Sequence, residues 1–133
     1  MSALASTHIE QLGVKVKSSR CRASGHGGDF SCTLRTPTGV SVAVTVGHDL
    51  RNNVVYTTTA GLIDGRVVGR RLSQQLGQRL RQNITAKCPA VTAANTRDTF
   101  TCEVWPTATP AQRHQATITV LDDHTGDFTY RIT

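Results

Sequence analysis

Two parts of this 133-residue chain carry the same pattern of aromatic, cysteine and apolar residues. The spacing Phe-x-Cys-x-apolar begins at Phe30 and begins again 70 residues later at Phe100. Further pairs match at offsets between 67 and 74: Cys21 with Cys88, Val44 with Ile118, Val46 with Val120, and Tyr56 with Tyr130. Regular self-similarity of this kind is typical of a repeated structural unit, and the drift in offset places the insertions in loops. We therefore predict a tandem duplication, with one repeat at residues 1–61 and the other at residues 62–133.

Each repeat is predicted to contain about four short antiparallel strands. Alternation of apolar and polar residues with a period of two indicates strands at residues 30–34, 40–46 and 54–57, and again at residues 100–104, 115–120 and 128–132. A further strand is predicted just before the first cysteine of each repeat, at residues 14–17 and 84–87. Short polar connections favour antiparallel neighbours. The predicted fold class is α+β: two tandem repeats, each a helix packed on a small antiparallel sheet, with one disulfide per repeat.

The helix of the second repeat has the clearer pattern. Through residues 66–82 an apolar side chain recurs every four residues: Val68, Leu72, Leu76 and Leu80. Asp64 precedes this stripe and is predicted to cap the helix. Gly69 and Gly77 each weaken a helix by about 1 kcal/mol relative to alanine, so packing has to offset them. The equivalent helix of the first repeat is predicted at residues 4–12, with three apolar side chains available for burial: Leu4, Ile9 and Leu12.

Four cysteines allow three pairings. The spacings within the two repeats, 11 and 14 residues, are longer than those of structural zinc sites. Free buried thiols are an alternative. Disulfides fit best, and duplication copies a bond together with its unit, which predicts the pairs Cys21–Cys32 and Cys88–Cys102. A bond closing a loop of this size contributes about 3 kcal/mol, a large share of the stability of a unit of some sixty residues.

Disulfides place a chain in an oxidising compartment. The chain has no run of eighteen apolar residues, and its first residues lack the basic and apolar segments of a signal peptide. We therefore expect an extracytoplasmic protein, secreted or membrane-tethered, represented here by a mature domain without its targeting segment. A cytoplasmic protein with reduced thiols is the competing interpretation.

The second repeat resembles a small cysteine-paired domain of unknown function found in actinobacterial envelope proteins and lipoproteins. The resemblance covers residues 66–133 and rests on a helix, a Cys-Pro at Cys88, a Phe-x-Cys-x-Val strand at Phe100 and a following Val-rich strand. In the first repeat Cys21 is followed by arginine instead of proline. The resemblance implies an extracytoplasmic location, often with a membrane or lipid anchor, and it implies no catalytic residue.

The strongest candidate for a binding surface is the second helix. It carries five arginines with no acidic residue among them: Arg66, Arg70, Arg71, Arg79 and Arg81. The whole chain is basic, with 15 Lys and Arg against 9 Asp and Glu and a net charge of +6. Such a surface suits an acidic protein, an acidic envelope polymer or an anionic membrane. An extracytoplasmic location and few aromatic residues disfavour nucleic acid. The structural alternative is a solvated face whose arginine stems cover the apolar stripe.

Trp105 ends a predicted strand and is a candidate interface residue, with partial burial against the sheet as the alternative. Two polar segments are candidate ligand sites, the glycine-rich segment with His26 and Asp29 and the acidic turn made by Asp122, Asp123, His124 and Asp127. The first lacks a phosphate-loop motif and the second lacks the distant glutamate of a calcium loop. Both are interpreted as turns, so no metal and no cofactor is predicted.

No nucleophile–base constellation is visible in the sequence, and no catalytic residue is predicted. The predicted function is that of a non-catalytic extracytoplasmic binding or sensory module that recognises a ligand or a protein partner. The alternative is a secreted inhibitor that acts through a disulfide-held loop, at residues 23–29 or 90–98. A small enzyme is a third and weaker alternative.

Overall fold

The computed structural model describes residues 2–23 and 29–133. The protein is α+β, with two helices, antiparallel sheets and two disulfides. The chain divides into two compact units, residues 1–62 and residues 63–133. Each unit places one helix and one four-stranded antiparallel sheet around its own apolar core. Neither helix in the described part of the chain is long and apolar enough to cross a membrane.

The first unit is a four-stranded meander with a helix at its start. Its elements are α1 (Ser2–Gln11), β1 (Ser18–Ala23), β2 (Phe30–Arg35), β3 (Ser41–His48) and β4 (Val54–Ala60). All neighbours in the order β1-β2-β3-β4 are antiparallel. The core is formed by alternate side chains of the central strands together with Ala5 and Ile9 of α1: Cys32, Leu34, Val42, Val44 and Val46.

Two expectations for the first unit are wrong. Residues 14–17 are not a strand, because β1 begins at Ser18 and contains Cys21 instead of preceding it. Leu4 and Leu12 remain 46% and 42% exposed. The buried face of α1 is set by Ala5 and Ile9, which are four residues apart and therefore share one side, whereas Leu12 follows the end of the helix.

The hairpin between β3 and β4 is held by Asp49. Its Oδ1 accepts hydrogen bonds of 2.9 Å from the backbone N–H groups of Asn53 and Arg51. The bond from Asn53 is the main reason that the pKa of this carboxyl lies below its ordinary value. The turn predicted before residue 54 is thus closed by a carboxylate that spans it.

The second unit contains a longer helix, a four-stranded sheet and a separate pair of short strands. Its elements are β5 (Leu62–Asp64), which spans the division between the units, α2 (Gly65–Leu80), β6 (Ile84–Lys87), β7 (Val91–Ala93), β8 (Thr99–Pro106), β9 (His114–Asp122) and β10 (Asp127–Ile132). The sheet order is β10-β9-β8-β6, and β5 pairs with β7. Val68, Leu72 and Leu76 of α2 pack on Ile118 and Val120 of the sheet.

Several expectations for the second unit need correction. Leu80 is 52% exposed, so the apolar stripe has three members instead of four. A step of four residues turns the side chain by about 40° around a helix, and by Leu80 the accumulated rotation has left the buried face. The segment at residues 90–98 is not simply a loop, because it contains β7. Asp64 caps α2 as predicted, with its Oδ1 accepting from the Arg66 N–H at 3.0 Å.

Both predicted disulfides are confirmed. Cys21 stands directly opposite Cys32 in the β1–β2 pair, with 4.0 Å between the Cα atoms. Cys88 follows the last pair of β6 and β8 and is bonded to Cys102 across 4.4 Å. Cα atoms at these distances are close-facing neighbours on antiparallel strands. The two bonds indicate an oxidising environment.

The strand register corrects two of the sequence matches, those of Val44 and Val46. Phe30 faces Val46 in the first unit, and Phe100 faces Ile118 in the second. Val46 and Ile118 therefore hold equivalent places, which is an offset of 72 instead of the predicted 74. The match of Tyr56 with Tyr130 agrees with the register, because Tyr56 faces Val46 and Tyr130 faces Ile118.

Small residues of α2 let the helix lie along the outer edge of β6. A Cβ at Gly65 would overlap the carbonyl oxygen of Pro89, and a Cβ at Gly69 would lie 3.5 Å from the carbonyl oxygen of Ala86. Ser73 donates its hydroxyl proton to the carbonyl oxygen of Ile84. The helix thereby shields an edge that would otherwise be open to pairing with another chain.

We predict opposite effects for alanine at the two glycines of this contact. Gly65→Ala forces backbone apart and lowers the free energy of unfolding by about 1–3 kcal/mol. Gly69→Ala makes only ordinary contacts and raises it by up to about 1 kcal/mol, because alanine is the better helix former. Urea unfolding followed by the fluorescence of Trp105, the single tryptophan, reports on this unit. Equal effects of the two variants would contradict the close approach at Gly65.

Removing the second disulfide is expected to cost about 3 kcal/mol of unfolding free energy, because the bond closes a 14-residue loop. The variant is Cys88→Ser/Cys102→Ser, measured by the same urea titration. The matched control is Cys21→Ser/Cys32→Ser, which lies in the other unit and should leave the Trp105 transition unchanged. A second-unit midpoint that does not move in Cys88→Ser/Cys102→Ser would show that the bond adds nothing to this unit.

Candidate anion-binding groove

The five arginines predicted to form one basic surface lie on different sides of α2. Arg66 and Arg70 line a groove between α2 and β6, and Arg81 lines its continuation. Arg81 is not helical: it is the C-cap, with φ of 55°, and its N–H donates to the carbonyl of Gly77. Arg71 and Arg79 line neither part. The surface is therefore smaller than the sequence pattern indicates, and three of the five arginines face the groove.

The α2–β6 groove is about 860 Å³ in volume. One wall is the helix, from Gly65 through Arg70 to Gln74, and the other wall is β6 with Cys88 at its end. A hollow of about 480 Å³ adjoins it, shares Ser73, Gln74 and Ile84 with it, and extends it past Arg81. Together they form an elongated depression that follows the helix axis.

The charge of the α2–β6 groove is positive. Arg66, Arg70 and Lys87 line it, and among the ion pairs of the described residues none involves these three side chains. The acidic residue lining it is Asp64, whose carboxylate is engaged by the N-terminus of the helix. Unpaired guanidinium groups in a concave surface provide five N–H donors each for an oxyanion.

Lys87 is a groove residue that the sequence analysis did not single out. It lies at the end of β6, opposite Glu103 of β8. The alternation of side chains along β6 predicts that Lys87 is exposed. It does not predict that Lys87 lies beside the arginines, because their proximity depends on which edge of the sheet the helix covers. No sequence signal links residue 87 to residues 66 and 70.

Arg71 points to the other flank of the helix. Its guanidinium lies 3.6 Å from the carboxylate of Asp127, at the start of β10. Both side chains are about half exposed or more, at 47% and 64%, so the pair contributes little to stability. No acid lies among these arginines in sequence, but the fold brings Asp127 to Arg71 from 56 residues away.

Trp105 is half-buried and partly covered by a cation. The Arg113 guanidinium lies 4.5 Å from the centre of the ring, and it also bonds the Glu103 carboxylate at 2.9 Å. A guanidinium at this distance from an aromatic ring makes a cation–π contact, so the face of the Trp105 ring has a partner within its own unit. A role of Trp105 at an interface stays a prediction.

The acidic turn uses its carboxylates within the fold. Asp122 accepts from the His124 N–H at 2.8 Å, Asp123 accepts from the Asn95 side chain at 3.0 Å, and Asp127 pairs with Arg71. Among residues 2–23 and 29–133, no group of three or more His, Cys, Asp or Glu side chains is placed to hold a metal. His26 lies outside the described residues, as does most of the loop at residues 23–29.

We predict that Arg113→Ala shifts the emission of Trp105 to longer wavelength, because removing the cation exposes the ring to water. Loss of the stacking and of the Glu103 pair lowers the free energy of unfolding by about 1 kcal/mol. Glu103→Gln is the matched control, since it removes the ion pair and leaves Arg113 able to stack. An unchanged emission maximum in Arg113→Ala would mean that the stacked geometry is absent in solution.

Comparison with known proteins does not assign this chain to a family. Neither the models of known families nor the curated proteins nor the solved structures contain a match. The resemblance to an actinobacterial envelope domain therefore stays a prediction. The function has to be inferred from the groove and the fold that builds it.

Proposed function

We propose that this protein is a non-catalytic extracytoplasmic binding module, and that it holds an anionic partner in the α2–β6 groove. In this proposal the chain is a duplicated cysteine-paired domain of the actinobacterial envelope type, secreted or tethered to a membrane. The two cross-strand disulfides support the location, since such bonds persist in oxidising compartments.

The duplication is supported by the equivalent architecture of the two units. Each has a helix before its sheet, and each has a disulfide from the edge strand, or from the residue just after it, to the next strand of the sheet. The aromatic residue two positions before the second cysteine faces the third strand in both units, at Phe30 and at Phe100. One ancestral unit that was copied with its disulfide accounts for these shared positions.

The observation that carries the binding proposal is the set of unpaired cations in the α2–β6 groove. Arg66, Arg70 and Lys87 converge on one elongated depression, and the carboxylate beside them is occupied as a helix cap. The arginines lie on the helix wall and the lysine lies on the β6 wall, so cations face the same depression from two sides. Charge complementarity indicates a partner with carboxylate or phosphate groups, such as an acidic envelope component or an acidic protein segment.

The groups that line the groove favour binding over catalysis. The Ser73 hydroxyl donates to the carbonyl of Ile84, and the Thr85 hydroxyl bonds that of Thr107 at 2.8 Å. Cys88 is in a disulfide. The hydroxyl groups of Ser73 and Thr85 and the sulfur of Cys88 are therefore engaged in contacts within the protein. The residues lining the groove include no histidine to act as a base.

The proposal is tested with a fluorescein-labelled oligoglutamate peptide, whose binding is followed by anisotropy at low and high salt. Arg66→Gln/Arg70→Gln is expected to weaken binding about tenfold, because each exposed ion contact contributes up to about 1 kcal/mol. Wild-type affinity should fall steeply with salt. The matched control, Arg51→Gln/Arg79→Gln, removes the same charge outside the groove and should change affinity less than twofold.

Equal losses in the two double variants would show that net charge alone attracts the peptide, and the groove would then not be the site. The absence of saturable binding to the wild-type protein at low salt would also overturn the proposal. Arg66, Arg70 and Arg79 are exposed positions of α2 and Arg51 is an exposed turn residue, so far-ultraviolet circular dichroism is expected to be unchanged in both variants.

A further inference from the structure

A second positive surface lies on the first unit and does not depend on the α2–β6 groove. The sheet of this unit turns one face to the core and the other to solvent, because side chains alternate along each strand. The solvent face of β1, β2 and β3 carries three arginines and a row of hydroxyl groups, which together we call the arginine–hydroxyl face: Arg20, Arg22, Arg35, Ser18, Ser31, Thr33, Ser41 and Thr45.

The register sets the spacing of the arginines. Arg22 faces Ser31, Arg20 faces Thr33, and Arg35 faces Ser18. Successive same-face positions are about 7 Å apart along a strand, and diagonal neighbours on adjacent strands are about 7–8 Å apart. The three arginines are therefore attached at evenly spaced backbone positions, and a hydroxyl-bearing residue lies opposite each of them.

The surface between these side chains is concave. A hollow of about 490 Å³ is lined by Ser18, Ser19, Arg20, Thr33 and Arg35. A second, of about 360 Å³, is lined by Arg20, Cys21, Arg22, Ser31 and Thr33. Arg20 and Thr33 belong to both, so the two hollows form one shallow trough with Arg20 at its centre.

The trough lacks the acids that would neutralise it. Arg20, Arg22 and Arg35 take part in no ion pair among residues 2–23 and 29–133. The acid nearest to this face is Asp29, whose Oδ1 lies against Gly47 at the end of β3, beyond Thr45. The other acids of the unit, Glu10 and Asp49, lie in α1 and in the hairpin tip. The three arginines therefore outnumber the one acid close to this face, and its charge is net positive.

The disulfide of the first unit holds this geometry. Cys21 lies between Arg20 and Arg22 on β1, and its partner Cys32 lies between Ser31 and Thr33 on β2. The bond is on the core face, where Cys32 is 1% exposed, so it locks the register without covering the arginines. An edge strand that is fixed in this way presents its charges with less conformational entropy to lose on binding.

We infer that the arginine–hydroxyl face binds a linear polymer of phosphate groups. An extended row of cations suits a chain of charges better than a single small ion. The face supplies donors of two kinds, guanidinium forks and hydroxyl groups, and phosphate offers more acceptor oxygens and more charge per group than carboxylate does.

Other partners fit this face less well. Protein interfaces bury an apolar centre, and the apolar side chains on this face are few: Ala43, which is small and lies opposite Thr33, and Val55 on β4. Nucleic-acid bases stack on aromatic rings, and both Phe30 and Tyr56 belong to the opposite face of this sheet. The corresponding face of the second unit carries Glu103, which pairs with Arg113, so the feature is particular to the first unit.

The probe is long-chain inorganic polyphosphate, titrated by calorimetry into the full chain, with inorganic phosphate and poly-L-glutamate as comparison ligands. The sheet-face variant Arg20→Gln/Arg22→Gln/Arg35→Gln is expected to lose at least tenfold in affinity. A plot of log affinity against log salt concentration should become less steep by about 2, because each of the three lost contacts contributes about 0.7 to the slope, as for single-stranded polyanions. Arg51→Gln/Arg79→Gln/Arg97→Gln removes the same charge elsewhere and should retain the wild-type slope.

Three results would overturn the inference: an unchanged affinity in the sheet-face variant, an equal loss in the charge-matched control, or poly-L-glutamate binding at this face as tightly as polyphosphate. Arg66→Gln/Arg70→Gln separates the two sites: it should weaken binding of the oligoglutamate peptide, and the sheet-face substitutions should cause the same loss of polyphosphate affinity in its background as in the wild type. If the triple variant fails to fold, Arg20→Gln alone, at the centre of the trough, is expected to lose several-fold, and no loss would decide against the site.

Discussion

Each unit of this protein depends on a disulfide that joins an edge strand to its neighbour at directly opposed positions. An edge strand has one hydrogen-bonded partner only, and it is the first part of a small sheet to fray. The bonds Cys21–Cys32 and Cys88–Cys102 remove that weakness from β1 and from the end of β6. With only 5% aromatic residues to fill two small cores, covalent closure supplies stability that packing alone does not.

The same edge strands position the charged surfaces. In the second unit, β6 is covered along its outer edge by α2, and the contact between them leaves the α2–β6 groove with cations on both walls. In the first unit, β1 carries two arginines of the arginine–hydroxyl face on either side of its cysteine. In both units, therefore, a disulfide fixes an edge strand that carries cations, Arg20 and Arg22 on β1 and Lys87 on β6.

Much of the sheet structure could be predicted from the sequence, because alternation of apolar and polar residues is a local signal. The strands around Cys32 and Cys102, the hairpins that follow them and the cysteine pairs are as expected. The failures fall where the local signal is weak or absent. Residues 14–17 alternate in sequence but stop short of β1, β7 is only three residues long, and Leu80 rotates off the buried face at the end of its helix.

The sequence by itself determined the fold class, the pairing of the cysteines and the positive charge, since each follows from residue type and spacing along the chain. Only the tertiary structure decided which cations act together. Of the arginines along α2, Arg66 and Arg70 lie beside Lys87 and Arg71 lies beside Asp127, while three arginines from two strands of the first unit align in one trough. The reason is that a shared surface depends on strand order, register and the edge a helix covers, and these are fixed by packing between residues far apart in the chain.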